Sequence, residues 1–218
     1  MSDIYDQAMD KYTHYAVRED LQEAIALFEQ SGEAGAAKYI EKCRTLLEYW
    51  IGNSVTFGSY EGRPIQWKVI DQRGRMRMLL AEKPVARLAY HGVSTDTSWK
   101  DCDLRAWLNG PFLEAAFTPV ERARITAVRV ENPRNPIYYT NAGLNTMDRA
   151  YVLSIPEAEK YLPDEAERAG NGWWWLRTPG SNLFSAVAVY DDGSLYPFGI
   201  HVHYTEGGVR PVVWVLLK

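Results

Sequence analysis

The amino-acid sequence predicts an α+β protein, and two observations carry that prediction. Residues 1–50 are rich in Ala, Glu, Lys and Leu and contain no proline, a composition typical of helices. From Ile51 onward, short stretches of alternating apolar and polar residues indicate β-strands, with separate helix signals and irregular segments between them. We therefore expect a helical N-terminal segment, residues 1–50, followed by one domain, residues 51–218.

Three amphipathic helices are predicted in the N-terminal segment. Apolar residues recur at helical spacing in residues 4–15, 21–28 and 36–47, and Asp20 and Ser31-Gly32 are placed to begin and end the second helix. The arrangement resembles one tetratricopeptide-like unit, which buries too little apolar surface to be stable alone. We expect these helices to pack on the following domain, with homo-oligomerisation through them as the alternative.

A β-hairpin is predicted at the start of the second domain. Residues 55–57 and 65–69 alternate between apolar and polar side chains, and Glu61-Gly62 lies near the turn between them. A further strand is predicted from Met76 to Ala81. Residues 131–145 are rich in Asn, Pro and Gly, and this composition predicts a long irregular loop.

Short helices are expected between these strands and the C-terminus. Residues 103–109 form one, with Leu104, Trp107 and Leu108 facing inward. Two capping boxes with an early proline, Thr118-Pro119-Val120-Glu121 and Ser154-Ile155-Pro156-Glu157, begin two more. The C-terminal region then predicts strands at residues 186–190, 194–198 and 209–216.

Residues 173–214 carry most of the information about function. Two aromatic blocks, Trp173–Gly180 and Gly207–Trp214, are expected to be scaffold, in which Arg177 and Arg210 bind backbone carbonyls or aromatic faces. The segment between the blocks is rich in Tyr, Phe, His, Ser and Asn. Binding surfaces favour these residue types because they offer large contact area and adaptable hydrogen bonds.

Strand alternation assigns the side chains of this intervening segment to two faces. Val187, Val189 and Val202 are expected to face the core, whereas Ala186 and Ala188 are expected to face solvent. The residues predicted to bind a ligand are Ser181, Asn182, Leu183, Phe184, Ser185, Tyr190, Tyr196, Phe198, His201, His203 and Tyr204. The alternative is that the aromatic residues of this set fill the core.

The motifs of the two blocks also carry a resemblance. The sequences W-W-L-R-T-P-G and G-V-R-P-V-V-W resemble the C-terminal signature of a bacterial and phage family related to the C-type-lectin-like fold in its formylglycine-generating-enzyme variant. The resemblance covers residues 51–214 and includes residues 65–70, 104–109 and 151–154. It implies a C-type-lectin-like domain that follows the small N-terminal helical hairpin.

The same resemblance implies a function. Several members are similar to the variable proteins of diversity-generating retroelements, in which mutation of a C-terminal repeat lets a fixed scaffold display many binding surfaces. By this resemblance the variable region would be residues 181–206. The expected function is ligand binding without catalysis or a cofactor, and the expected partner is a macromolecule, with a protein favoured. A structural or oligomerisation module is the alternative.

Enzymatic and metal-dependent functions find little support in the sequence. Formylglycine-generating enzymes use two nearby cysteines late in the chain, whereas Cys43 and Cys102 both precede the C-terminal half. His201 and His203 could be two metal ligands, but nothing fixes a third, and we expect no metal site. The loops of calcium-dependent lectins are not matched, because Glu131-Asn132-Pro133 has the wrong order. No hydrolase or phosphate-loop motif occurs.

Charge and hydropathy limit the partners further. The net charge is −4 and no dense Lys/Arg stripe occurs, so nucleic acid is not expected as a partner. The N-terminus lacks the features of a signal peptide and no apolar run is long enough to cross a membrane. We expect a cytoplasmic protein with reduced cysteines and no membrane partner; assembly into a phage particle stays open.

Overall fold

A computed structural model describes residues 3–170 and 172–217. Its longer helices are α1 (Asp3–Thr13), α2 (Arg18–Ser31) and α3 (Ala36–Glu48), followed by the short helices α4 (Asp103–Trp107), α5 (Leu113–Ala116), α6 (Pro119–Arg122), α7 (Ile155–Tyr161) and α8 (Glu165–Arg168). Its strands are β1 (Ser54–Tyr60), β2 (Arg63–Arg73), β3 (Met76–Ala81), β4 (Ala86–Arg87), β5 (Ile125–Thr126), β6 (Val128–Val130), β7 (Thr146–Asp148), β8 (Ala150–Tyr151), β9 (Trp174–Pro179), β10 (Ser185–Val189), β11 (Leu195–His201), β12 (Gly208–Val209) and β13 (Val212–Leu216). The α+β class is confirmed.

The three N-terminal helices are confirmed, with one correction at the start of α2. Asp20 is the third residue of this helix and not the residue that precedes it. Its carboxylate accepts hydrogen bonds from the backbone N–H groups of Ala16 and Val17, and these bonds hold the pKa of Asp20 below its usual value. Gly32 ends the helix in the left-handed conformation, as its position after Ser31 predicts.

The helices pack on the rest of the chain. Their buried apolar residues belong to the same cluster as those of the strands. The ring of Tyr15 contacts that of Trp50, and the buried guanidinium of Arg77 in β3 donates to the carbonyl of Tyr49 at 2.9 Å. Apolar contact and this hydrogen bond together give the helical hairpin the burial that it could not obtain alone. The division at residue 50 itself stays a prediction.

The first sheet is antiparallel and places the C-terminal strand in its interior. Its order is β1-β2-β3-β13-β5, and β8 also pairs with β13. The predicted β1–β2 hairpin is confirmed, with Glu61 and Gly62 both at positive φ in the turn. Trp67 and Trp214 lie buried on this sheet.

The second sheet has the order β11-β10-β9-β12-β4, in which only the β9–β12 pair is parallel. The prediction of one final strand over residues 209–216 is wrong, because two strands occur there and belong to different sheets. The break falls at Arg210-Pro211, where proline lacks the N–H group that a continuous ladder would need. This break carries the chain from the second sheet into the first.

The two predicted capping boxes and the predicted irregular loop are confirmed. Thr118 and Ser154 form capping boxes with Glu121 and Glu157, and residues 131–145 contain neither helix nor strand. Within the described residues, no helix is long and apolar enough to span a bilayer.

Candidate binding surface

The aromatic block that precedes the predicted binding segment is a buried frame. Every residue of β9 is buried. The Arg177 guanidinium donates to the backbone carbonyls of Val152 at 2.8 Å and Glu131 at 2.7 Å, and it pairs with the Glu157 carboxylate. Because one side chain binds three separate segments, Arg177 is scaffold, as predicted, and is not free to contact a ligand.

The second aromatic block completes this frame. Arg210 donates to the carbonyl of Ala81 at 3.0 Å and its guanidinium stacks on Trp174, 4.6 Å from the ring centroid. Burial lowers the pKa of Arg210 to about 10. Gly207 lies directly against the indole of Trp175, where any Cβ atom would overlap the ring. The glycine is therefore required by the close approach of chain and indole.

The residues predicted to bind a ligand divide into three groups by exposure. The exposed ones are Asn182, Phe184, Tyr190, Phe198, His201 and Tyr204. The half-buried ones are Ser181, Leu183, Tyr196 and His203. Ser185 is buried, and its hydroxyl lies within hydrogen-bond distance of the carbonyls of Asn182 and Phe198. Its assignment to the surface is wrong, because the side chain holds the segment together from inside.

The expected outward orientation of Ala186 and Ala188 is also wrong. Both are buried together with Val187 and Val189. Side chains alternate between core and solvent only in a strand that has one solvent-exposed face. In contrast, β10 is an inner strand, and both of its faces are covered. The exposed aromatic side chains therefore lie on β11 and in the adjoining turns. Tyr190, which follows the last residue of β10, is exposed, whereas the residues of β10 itself are buried.

The rings of β11 and of the residues that flank it form two clusters. Tyr196 stacks on Tyr190 with ring centroids 4.8 Å apart and contacts Phe198 at 6.0 Å. At the other end of the strand, the rings of His201, His203 and Tyr204 lie 5.0 to 5.8 Å from one another. His201 is exposed, as predicted, whereas His203 is half-buried, and Val202 is buried between them.

A bulge in β11 sets the direction of these rings. Between the pairs Ala188–Tyr196 and Ala186–Ile200, β11 contains extra residues opposite β10. Gly199 has φ +88°, and a Cβ atom there would lie 2.8 Å from the Cα atom of Gly180. Only glycine fits this close approach, and the bulge leaves Phe198 exposed at its edge.

The two histidines have no third metal ligand nearby. No group of three or more His, Cys, Asp or Glu side chains that could hold a metal occurs in residues 3–170 and 172–217. Asp192 lies in the turn before β11, and its carboxylate accepts hydrogen bonds from the backbone N–H and the hydroxyl of Ser194. His201 is thus an exposed ring and His203 a half-buried ring, and both contact Tyr204.

The loop of residues 131–145 adds a second side to this surface, which the sequence analysis missed. Asn135 is fully buried, and its amide nitrogen donates to the carbonyls of Pro179 and Pro197, both at 2.8 Å. Its amide oxygen accepts from the backbone N–H groups of the next residues, at 2.9 Å for Ile137 and 3.0 Å for Tyr138. One side chain thereby fixes the loop to β9 and β11 and places the ring of Tyr138 5.8 Å from that of Phe198.

Exposed apolar residues are concentrated on these adjoining segments. We name as the aromatic surface the residues Ile137, Tyr138, Tyr139, Phe184, Tyr190, Tyr196, Phe198, His201, His203 and Tyr204. Its most exposed member is Tyr139, at 70%, with a φ of +58° that is uncommon for any residue other than glycine. The run Ile137-Tyr138-Tyr139 in a proline- and asparagine-rich loop was the available sequence signal, because three large apolar residues there have no strand or helix in which to be buried.

The fold and the surface describe an α+β protein with a buried aromatic frame and an exposed aromatic face. A family model described as a domain of unknown function (DUF6273) matches residues 75–217. The match covers more than half of the chain, so the chain belongs to this family. It includes the whole frame and the whole aromatic surface but not α1–α3, β1 or β2. Comparison with curated proteins and with solved structures finds no match.

Replacement of Asn135 tests whether it holds the loop in place. Asn135→Ala leaves buried carbonyls without a donor, so we expect a loss of at least about 2 kcal/mol in the free energy of unfolding. Hydrogen exchange should become faster at the amides of Ile137 and Tyr138. Urea denaturation and exchange mass spectrometry measure the two effects.

The matched control is Asn141→Ala in the same loop. The Asn141 side chain is exposed and accepts one hydrogen bond, from the Gly143 amide, so its loss should cost less than about 1 kcal/mol. Equal stability losses in the two variants would contradict the role assigned to Asn135.

Proposed function

We propose that this protein binds a macromolecular ligand, with a protein favoured, through the aromatic surface and without catalysis. The observation that carries the proposal is that three chain segments with exposed rings adjoin one another on one buried frame. Those segments are the loop of residues 131–145, the segment 181–185 and the region from Tyr190 to Tyr204. Exposed apolar clusters of this kind on a folded domain mark interaction sites.

The energetics of aromatic side chains support this role. Tyr and Phe present a large area with two rotatable side-chain bonds, so their ordering on binding costs little conformational entropy. In this protein some of the rings are already ordered before a ligand binds, because Tyr190 and Tyr196 stack on each other and Tyr138 contacts Phe198. The tyrosine hydroxyls and imidazoles add hydrogen-bonding groups around an apolar centre, the composition of protein-binding hot spots.

We propose further that residues 51–218 form a C-type-lectin-like domain and that residues 181–206 are a variable region like those of diversity-generating retroelement proteins. In support, the two signature motifs lie in β9 and β12–β13, which form the frame, and the segment between them contains the exposed rings. A fixed frame with a replaceable surface is what such diversification requires.

The diversification proposal has a direct genetic test. A reverse-transcriptase gene should lie near this gene, with a near-copy of the coding segment for residues 181–205 that differs at adenines. The differing codons should encode exposed positions such as Tyr196, Phe198 and Tyr204, and should spare the buried strand of residues 185–189. Differences concentrated at the buried codons would contradict the proposal, because the frame could not tolerate them.

A second experiment tests binding itself. The triple variant Tyr139→Ala, Phe198→Ala and Tyr204→Ala removes one exposed ring from each of three parts of the aromatic surface. We expect each substitution to change the free energy of unfolding by only about 0.5 kcal/mol. Proteins captured from a lysate of the source organism by the immobilised wild-type chain should be lost from the variant, as quantitative mass spectrometry measures.

The matched control carries Val17→Ala, Ile51→Ala and Val120→Ala. These residues have similar exposure, at 50%, 44% and 63%, but lie in or near the N-terminal helices and in α6. This variant should capture the same partner as the wild type. If all three proteins capture the same set, or if the surface variant unfolds, the binding proposal is wrong and the rings are a structural or oligomerisation element.

A further inference from the structure

A polar cleft lies on the first sheet, apart from the aromatic surface. Its volume is about 410 Å³, within the range of about 300 to 1,000 Å³ that is typical of small-ligand sites. The strand β6 and the helix α7 line its sides, and buried side chains of β3, β8 and β13 form its floor. The cleft is therefore built by the fold of the domain and does not depend on one mobile loop.

The floor of the cleft is apolar and rigid. It consists of Met78, Tyr151 and Trp214, all of which are buried. The indole N–H of Trp214 donates to the Tyr151 hydroxyl at 3.2 Å, which fixes both rings. A ligand in this cleft would meet a floor that does not need to be reordered on binding.

Two arginines on the rim have no anionic partner among the residues that the structure describes. The Arg73 guanidinium lies over the Trp214 ring, 4.7 Å from its centroid, and Arg129 extends from β6. Neither guanidinium makes a hydrogen bond or an ion pair with any residue in the described part of the chain, and both are exposed at the cleft. Arg177, by contrast, has its donors directed to carbonyls and to Glu157.

Two carboxylates also line the cleft and must be weighed against these arginines. Glu157 is already neutralised, because it pairs with Arg177 and accepts hydrogen bonds from Ser154. Glu131 is exposed and its carboxylate makes no ion pair among the residues that the structure describes. Two unpaired cations against one unpaired anion leave the cleft with an excess positive charge, in a chain whose net charge is −4.

We propose that this cleft binds a small oxyanion, a carboxylate or a phosphate, between Arg73 and Arg129. A guanidinium presents paired N–H donors that match two oxygens of such a group. Stacking on Trp214 holds the plane of the Arg73 guanidinium, so that its edge stays available to the ligand. The site is separate from the aromatic surface and does not depend on the function proposed for it.

Calorimetric titration of the full chain with succinate and with inorganic phosphate, at low ionic strength, tests the site. We expect saturable 1:1 binding of at least one probe. Which of the two binds more tightly distinguishes a carboxylate ligand from a phosphate ligand. Arg73→Gln and Arg129→Gln should each weaken binding of the probe about tenfold or more, since each removes a charge-assisted hydrogen bond.

Two further variants make the test specific. Arg75→Gln removes another exposed cation, two residues from Arg73 but outside the cleft, so the affinity for either probe should equal that of the wild type. Glu131→Gln should strengthen binding, because it removes a like charge from the rim. Absence of saturable binding to both probes, or equal weakening by Arg75→Gln and Arg73→Gln, would overturn the proposal.

Discussion

The arrangement of the C-terminal half depends on one buried cation, the guanidinium of Arg177. This side chain extends from β9. It donates one hydrogen bond to a carbonyl in the segment before α7 and another to a carbonyl at the start of the loop of residues 131–145. A buried charge is tolerable only when it is paired and hydrogen-bonded, and here Glu157 supplies the paired carboxylate. The same Glu157 completes the capping box of α7. Frame, helix and loop are thus fixed by one network.

From that network the aromatic surface follows in two steps. Arg177 fixes where the loop begins, and Asn135 fixes where it crosses β9 and β11. Just beyond Asn135, whose amide oxygen accepts the backbone N–H of Tyr138, the rings of Tyr138 and Tyr139 are exposed. Large apolar side chains are thereby kept in water by buried polar contacts, an arrangement that favours recognition of a partner.

The sequence predicted what depends on local pattern and failed where distant contacts decide. The three N-terminal helices, the Glu61-Gly62 turn and both capping boxes follow from neighbouring residues, and the sequence predicts all of them. The burial of Ala186 and Ala188 could not be predicted, because it depends on which elements cover the second face of β10. Asn135 could not be predicted either, since its partners Pro179 and Pro197 are more than forty residues away.

Two of the failures did have a local signal. Proline at position 211 argues against one continuous strand over residues 209–216, because the ladder would lack a donor there. Ile137-Tyr138-Tyr139 could have been added to the candidate surface, because a loop offers such residues no core. The candidate site was therefore predicted in part: composition and strand alternation predicted its β11 half, whereas its loop half depends on the distant contacts of Asn135 as well as on the apolar run Ile137-Tyr138-Tyr139.

Hydroxyl-radical footprinting of the native protein with mass spectrometry tests the central claim most directly, because it measures the solvent exposure of individual rings. Tyr90 and Tyr151, which are buried, serve as internal references. The account predicts fast modification of Tyr139, Phe198 and Tyr204 and slow modification of the two references. Protection of all three surface rings at the level of Tyr90 and Tyr151 would contradict it.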